Sequence, residues 1–289
     1  MKKILSGGEV AKQILANVKS QIADLKTMRV CPNLKILLVG EDPGSEYYAK
    51  SILRKSKKVN IQAELIKLPT DIKQNLLIEK LHLLNNDPDT DAIQIMMPLP
   101  DHISTDKVTA LIDPAKDVDC LNPLNMGKLV LGKDTFLPNT PAAVLKLLQF
   151  YHIKTDSKKI VILGRSNIVG KPLANLLIQK KQNANATVTI CHSHTKQLAQ
   201  ITKSADILIV AIGKAKFITS KYVSSDSIII DVGINRILDK DTKQHKYVGD
   251  VDFDDLVPKV DAITPVPGGI GSITTAVLLS NIVKAVQNK

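Results

Sequence analysis

Apolar residues recur at helical spacing over residues 8–28, where Val10, Ile14, Val18, Ile22 and Leu25 mark one face. A short apolar run over 34–39 then closes at Gly40-Glu-Asp-Pro-Gly44, which predicts a strand and a turn. Ser45 is the expected N-cap of a helix reaching residue 59. A strand over 63–68, a helix over 71–84 and a strand over 92–97 follow, with Asn86-Asp-Pro88 as turn chemistry between the last two. Met97-Pro-Leu-Pro100 stops that strand, since proline cannot donate to a ladder. A helix over 105–112 leads into an irregular segment that runs to Pro138, and irregular segments of that length usually carry function.

Thr140 and Pro141 read as the N-cap and first residue of a new helix, and the domain change is placed here. Strands are then expected over 160–163, 187–191, 206–211 and 227–231, with helices between them. Alternation of this kind predicts two α/β domains, each built on a parallel sheet covered on both faces. Gly164, Gly213 and Gly233 each stand just past an expected strand end, where ligands bind in open α/β sheets. A Pro/Gly-rich loop over 262–273 and a closing helix to residue 286 complete the chain.

The stretch 158–172 carries the clearest chemistry. Ile160-Val-Ile-Leu163 reads as a buried strand, Gly164 ends it, and Pro172 with Leu173-Ala-Asn-Leu-Leu177 starts a helix. Strand, glycine turn and helix in that order favour a phosphate, through free N–H groups and the helix dipole. Ser166 stands where a G-x-G-x-x-G turn has its second glycine; its hydroxyl can donate a hydrogen bond instead. The competing reading is a tight strand-to-helix turn of any α/β protein.

Composition narrows the class. In 289 residues, 44% are hydrophobic and 3% aromatic, with no Trp, so the core must be built of Ile, Leu, Val and Ala. No uninterrupted apolar run approaches the ~18 residues of a membrane span, and the opening eight residues break at Gly7-Gly8 rather than forming a signal peptide. Cys31, Cys120 and Cys191 are odd in number, far apart and without metal-ligand spacing. A cytoplasmic protein without a metal is therefore expected. The formal charge of +11 is spread along helices, apart from Arg54-Lys-Ser-Lys-Lys58, and lacks interleaved aromatics. That pattern suits a solvated surface that attracts anionic ligands rather than a nucleic-acid partner.

Seven phrases then occur in order: Val39-Gly-Glu-Asp-Pro43 with Ser45 and Tyr48; Pro98-Leu-Pro100; Lys116-Asp-Val-Asp119; Gly164-Arg-Ser166 with Val169-Gly-Lys-Pro172; Ile230-Asp-Val-Gly-Ile-Asn235; Val248-Gly-Asp-Val251; Thr264-Pro-Val-Pro-Gly-Gly269. By these the chain resembles the bifunctional methylenetetrahydrofolate dehydrogenase/methenyltetrahydrofolate cyclohydrolase (FolD) family over essentially its full length. The resemblance implies a folate-binding domain of residues 1–140 plus 273–289 and a Rossmann-like NADP domain of residues 141–272. It also implies a last helix packed back on the first domain, a homodimer, and tetrahydrofolate one-carbon derivatives as substrates. Tyr48 and Asp119 would be the catalytic and folate-binding residues, with Pro265, Gly268 and Gly269 lining the substrate cleft. Gly164, Arg165, Ser166, Ser193, Gly213, Gly233 and Ile234 would hold the cofactor.

NADP rather than NAD is expected from the residues themselves. An NAD site usually places an acid after the second strand to bind the ribose hydroxyls, but here the sequence reads His192-Ser-His-Thr-Lys196. Arg165 and Ser193 suit a 2′-phosphate. The alternative for Arg165 is a surface ion pair.

The chain departs from the family at the second reaction. The resemblance implies a Tyr-x-x-x-Lys pair on one helix face, held by a glutamine before Pro-Leu-Pro, for hydrolysis of the methenyl product. Tyr48 is present, but Ile52 and Met96 stand at the other two positions, and neither side chain can move a proton. Pro-Cys-Thr-Pro has become Pro138-Asn-Thr-Pro141, and Gly-Pro after the glycine loop has become Gly271-Ser272. A joint loss of the cyclohydrolase step is expected, with hydride transfer retained. Lys55, seven residues beyond Tyr48, is the weaker substitute, and Gln94 is expected to be a satisfied polar residue. The alternative is a non-catalytic NADP-binding protein that has lost the folate chemistry.

Overall fold

The computed structural model describes residues 3–238 and 244–289. The elements begin with β1 (Lys3–Ile4), α1 (Gly7–Thr27), β2 (Asn33–Val39), α2 (Pro43–Lys58), β3 (Gln62–Leu68), α3 (Gln74–Asn86) and β4 (Ala92–Ile95). Next come α4 (Thr105–Thr109), α5 (Pro123–Val130), α6 (Asn139–Phe150), β5 (Lys159–Leu163), α7 (Gly170–Leu177), β6 (Thr187–Cys191), α8 (Leu198–Lys203) and β7 (Ile207–Val210). The chain finishes with β8 (Ile228–Asp231), β9 (Asn235–Leu238), β10 (His245–Val248), α9 (Phe253–Leu256), β11 (Ala262–Ile263) and α10 (Ile270–Gln287).

The chain divides into two compact units, one of Met1–Ala11 with Thr140–Thr274 and one of Lys12–Asn139 with Thr275–Lys289. The second of these holds a parallel sheet in the order β3-β2-β4. Leu37, Val39, Leu77, Leu81, Ile93 and Ile95 are buried in its core. The apolar face predicted for α1 is the buried one: Val18, Ile22 and Leu25 are at most 5% exposed. The end of the chain closes this unit. Asn281 Nδ2 donates to the carbonyls of Val118 and Leu137, and Lys284 Nζ reaches Asp134 at 2.7 Å. By length and composition α10 alone among the described helices could cross a membrane, yet Ala276, Leu278, Leu279, Ile282 and Val283 are all core residues.

The other unit carries a six-stranded parallel sheet, β1-β11-β8-β7-β5-β6, and a separate antiparallel pair of β9 and β10. Its central strands β5, β7 and β8 are near-continuous apolar runs, as expected where helices cover both faces. β1 pairs with β11, so the first residues of the chain belong to this sheet, although the sequence reading groups them with residues 1–140.

Several boundaries differ from the expected ones. α2 begins two residues before Ser45 because Asp42 is the N-cap, accepting from the Ser45 amide at 2.7 Å, and Pro43 takes the first position. The segment expected to be irregular up to Pro138 contains α5, capped by Asn122 on the Leu124 amide with Pro123 next. α6 begins at Asn139, so Thr140 lies inside it and is not its cap. β1, β9, β10 and β11 have two or four residues each, too few to show a period.

Candidate functional site

In the unit that contains β2, the segment after Asp113 is built to present Asp119. Lys116 is 8% exposed, and its ammonium donates to the carbonyls of Leu84, Asn85 and Asp87 at the end of α3, where the helix dipole favours a cation. Burial, then Lys289, hold its pKa below the usual lysine value. Asp117 accepts from the amides of Leu121 and Asn122 and from Asn125 Nδ2, all at 2.9 Å. A bridge pairs Asp117 with Ile93, which brings the loop alongside β4.

Asp119 is then held from two sides. Gln94 Nε2 donates to Oδ2 at 3.0 Å, and the Asn139 amide donates to Oδ1 at 3.0 Å. Burial pushes its carboxyl up to about 6, the two donors acting against that rise. Tyr48 sits half-buried on α2, its phenol pushed well above the ordinary range by burial and by the charge of Asp119. Ser45, on the same helix, donates its hydroxyl to the Met97 carbonyl at 3.1 Å and so ties α2 to the end of β4.

Ile52 is completely buried and Met96 is 3% exposed. A lone polar side chain at either position would be buried and would need a hydrogen-bond partner there. Lys55 is half-buried, its ammonium pushed below the ordinary value by burial first and by Arg54 and Lys58 second. Gln94 is not the satisfied polar residue expected: its Nε2 is partnered, but its buried Oε1 has no hydrogen-bond partner.

All of the expected cofactor positions lie in the other unit. β5 pairs with both β6 and β7, and Leu163 lies beside Cys191 and Val210. Arg165 and Ser193 therefore each follow a paired strand end by two residues, and both are exposed. The amides of the first turn of α7, expected to be free for a phosphate, are bonded instead. Ser166 Oγ accepts from the Val169 amide at 3.1 Å and the Gly170 amide at 3.5 Å, and Lys171 N donates to the Ser166 carbonyl. The first turn of α7 is thus already satisfied by Ser166, and the amides of residues 165–168 are the ones that have no partner among the described residues. Gly164 (φ +129°) has no room for a side chain, because a Cβ would meet the Ala211 carbonyl oxygen. Gly170 has none either, because a Cβ would run into the Gly164 carbonyl. Arg165 has no carboxylate partner among the described residues, so the surface ion pair is not formed.

Two acids organise the remaining loops, and the sequence reading misses their work. Asp250 is fully buried and accepts from the amides of Ile212, Gly213 and Lys214 and from Asn235 Nδ2. Asp231 accepts from Gly233, Asp250 and Val251, and burial pushes its carboxyl up to about 7. A Cβ on Gly233 would strike the Asp250 carboxylate, and one on Gly249 that of Asp231. Gly213 and Ile234 are both exposed on the loops so fixed.

Pro265, Gly268 and Gly269 belong to this unit too, whereas Tyr48 and Asp119 belong to the other. Thr264 Oγ1 accepts from the Asp231 amide at 2.7 Å, and the Gly268 carbonyl accepts from Gly7 at 2.8 Å. Gly268 has φ +106°, and a Cβ on Gly269 would crowd the Pro265 carbonyl.

Comparisons with known proteins cover both units. The sequence profile of the tetrahydrofolate dehydrogenase/cyclohydrolase catalytic domain matches residues 5–119, and that of the corresponding NAD(P)-binding domain matches residues 138–289. A protein described as bifunctional protein FolD from Prosthecochloris aestuarii is 44% identical over 286 residues, covering 98% of this chain and 97% of its own. The crystal structure of the bifunctional enzyme FolD from Campylobacter jejuni is similar with a TM-score of 0.93 and 40% identity, over 100% of this chain and 99% of that one. The Trypanosoma brucei methylenetetrahydrofolate dehydrogenase-cyclohydrolase, solved with NADP and an inhibitor, is similar with a TM-score of 0.92 and 30% identity, over 100% and 98% of the chains.

Proposed function

The chain belongs to the tetrahydrofolate dehydrogenase/cyclohydrolase family, and from that premise we propose that it oxidises 5,10-methylenetetrahydrofolate to 5,10-methenyltetrahydrofolate with NADP. The observation that carries this reading is the contrast within one site. Asp119 is held by two donors and Tyr48 lies half-buried on α2, while Ile52, where the family has its proton-moving lysine, has no exposed surface.

The residues fit the cofactor. The turn has no room for a side chain at Gly164 or Gly170, and its amides at 165–168, without a partner among the described residues, would meet the pyrophosphate. Arg165 and Ser193 would meet the 2′-phosphate, and no acid stands in residues 192–196 to repel it. The loops of Gly213, Gly233 and Ile234 would flank the nicotinamide half. NADP, when bound, supplies a hydride acceptor. The chain's own part is to hold the folate: Asp119 accepts from the N–H edge of the pterin and Tyr48 packs against the ring. Hydride transfer asks mainly for positioning.

Hydrolysis of the methenyl product asks for a proton carrier, and at Ile52 there is none. The second step therefore runs poorly, although the family is bifunctional. A homodimer and a cytoplasmic location belong to the same reading by family resemblance. No observation favours the non-catalytic alternative, since Asp119 is held by two donors as a binding acid would be.

A spectrophotometric assay with methylenetetrahydrofolate and NADP tests the reading, with NADPH and methenyl absorbance followed separately where spontaneous hydrolysis is slow. NADPH formation with accumulating methenyl product is expected. NADP binding with no NADPH formed would overturn it.

A further inference from the structure

Gln94 and Asn139 grip one carboxylate by both of its oxygens. Gln94 is 2% exposed and stands on a strand whose other residues, Ala92, Ile93 and Ile95, are apolar and buried. Its Nε2 donates to Asp119 Oδ2, also reaching the Ile95 carbonyl at 3.2 Å, while its Oε1 is buried without a partner. Asn139, also 2% exposed, gives its backbone amide to Asp119 Oδ1. It is locked in turn by Asn281 Nδ2 on its Oδ1 at 3.0 Å, and its own Nδ2 is buried without a partner. An amide kept in an apolar strand with one atom unmet brings no packing advantage over an aliphatic side chain. What it does bring is a donor for a buried anion, which Asp119 Oδ2 would otherwise lack.

We infer that Gln94 is a positioning residue of the substrate site: its amide fixes the rotation of the Asp119 carboxylate and keeps it an anion, ready to accept the adjacent N–H groups of a pterin edge. The inference rests on the proposed reading that Asp119 binds folate. The groups facing Asp119 are few. Tyr48 approaches from α2, Asp117 and Cys120 from its own loop, Gln94 from β4 and Asn139 from the start of α6. Asp117 opposes the charge on Asp119, and Lys284 of α10 is engaged with Asp134, so Asn139 first and Gln94 second are what favour ionisation. A hydrogen bond to the charged form lowers a carboxyl pKa, so losing one raises it.

The experiment follows the 13C carboxyl shift of Asp119 from pH 4 to 9, identified by its disappearance in Asp119→Asn, together with kcat/KM for methylenetetrahydrofolate. Gln94→Met keeps the side-chain volume and removes the donor. It should raise the Asp119 midpoint by about one pH unit. The acid limb of kcat/KM should move with it, so activity falls about fivefold at pH 6, approaches a tenfold loss below that and changes little at pH 9. If Gln94→Met does not fold, Gln94→Glu replaces it, and the like charge should raise the midpoint further. An unmoved midpoint, or an equal loss at every pH, overturns the inference. If Asp119→Asn binds and turns over the substrate like the wild type, the folate reading of Asp119 falls, even where the midpoint responds to Gln94.

Discussion

Ile52 stands one helical turn beyond Tyr48 on α2, on the same face, and has no exposed surface. A lysine introduced there alone would bury a charge, so Ile52→Lys should cost on the order of 3 kcal/mol or more of stability. Adding Met96→Gln supplies a partner, so the double variant should recover part of that loss and gain methenyl hydrolysis. Denaturant titration with the two-wavelength assay checks both. Rapid hydrolysis by the wild type would sink the idea and make Lys55→Met the next variant.

Arg165 has no acid to pair with among the described residues, which leaves its guanidinium for a 2′-phosphate in the proposed reading. Arg165→Ala should raise KM for NADP roughly ten- to a hundredfold, the worth of a charged hydrogen bond, and leave KM for NAD within a few-fold. Equal losses for the two nucleotides would mean that the arginine shapes the turn and does not read the phosphate.

A methyl group on residue 170 has to displace the Gly164 carbonyl, which is backbone and cannot rotate away. Gly170→Ala should therefore destabilise the nucleotide-binding unit by about 2 kcal/mol or more and weaken NADP binding with it. Thermal denaturation with and without NADP measures both. Gly127, which has nothing within 4 Å of the place of a Cβ, is the control, and Gly127→Ala should be neutral or mildly stabilising.

Asp231 binds its proton more tightly in the folded chain than in the unfolded one, since burial raises its carboxyl from 3.8 to about 7. Between those values the native state holds more protons, so this group's contribution to stability falls as pH rises from 4 to 7. The denaturation midpoint of wild type relative to Asp231→Asn should decline across that window and level off above it. A difference that is flat with pH would show that Asp231 is ionised in the folded protein throughout.

The parallel strands were legible because burial on both faces writes them as apolar runs, as in Ile160 to Leu163. Chemistry at strand ends was legible wherever a glycine marked it. What local pattern does not carry is the partner of a long-range hydrogen bond. Asp250 takes the amides of residues 36 to 38 positions earlier, and no spacing rule points there. Ser166 illustrates a subtler gap. Its place in the turn was read as a donor to phosphate, yet its oxygen is already engaged as an acceptor by α7. Asp42 and Ser45 are both good caps three residues apart, and Pro43, well suited to the first helical position, favours the earlier one.

Asn281 supports the Asp119 clamp through Asn139, and Thr275–Lys289 belong to the unit that holds that acid. On the ribosome this segment is made after the whole nucleotide-binding unit. The surroundings of Asp119 thus begin early in synthesis and are fastened late, so a nascent chain can complete its nucleotide-binding unit while this acid still lacks a brace that comes from after residue 274.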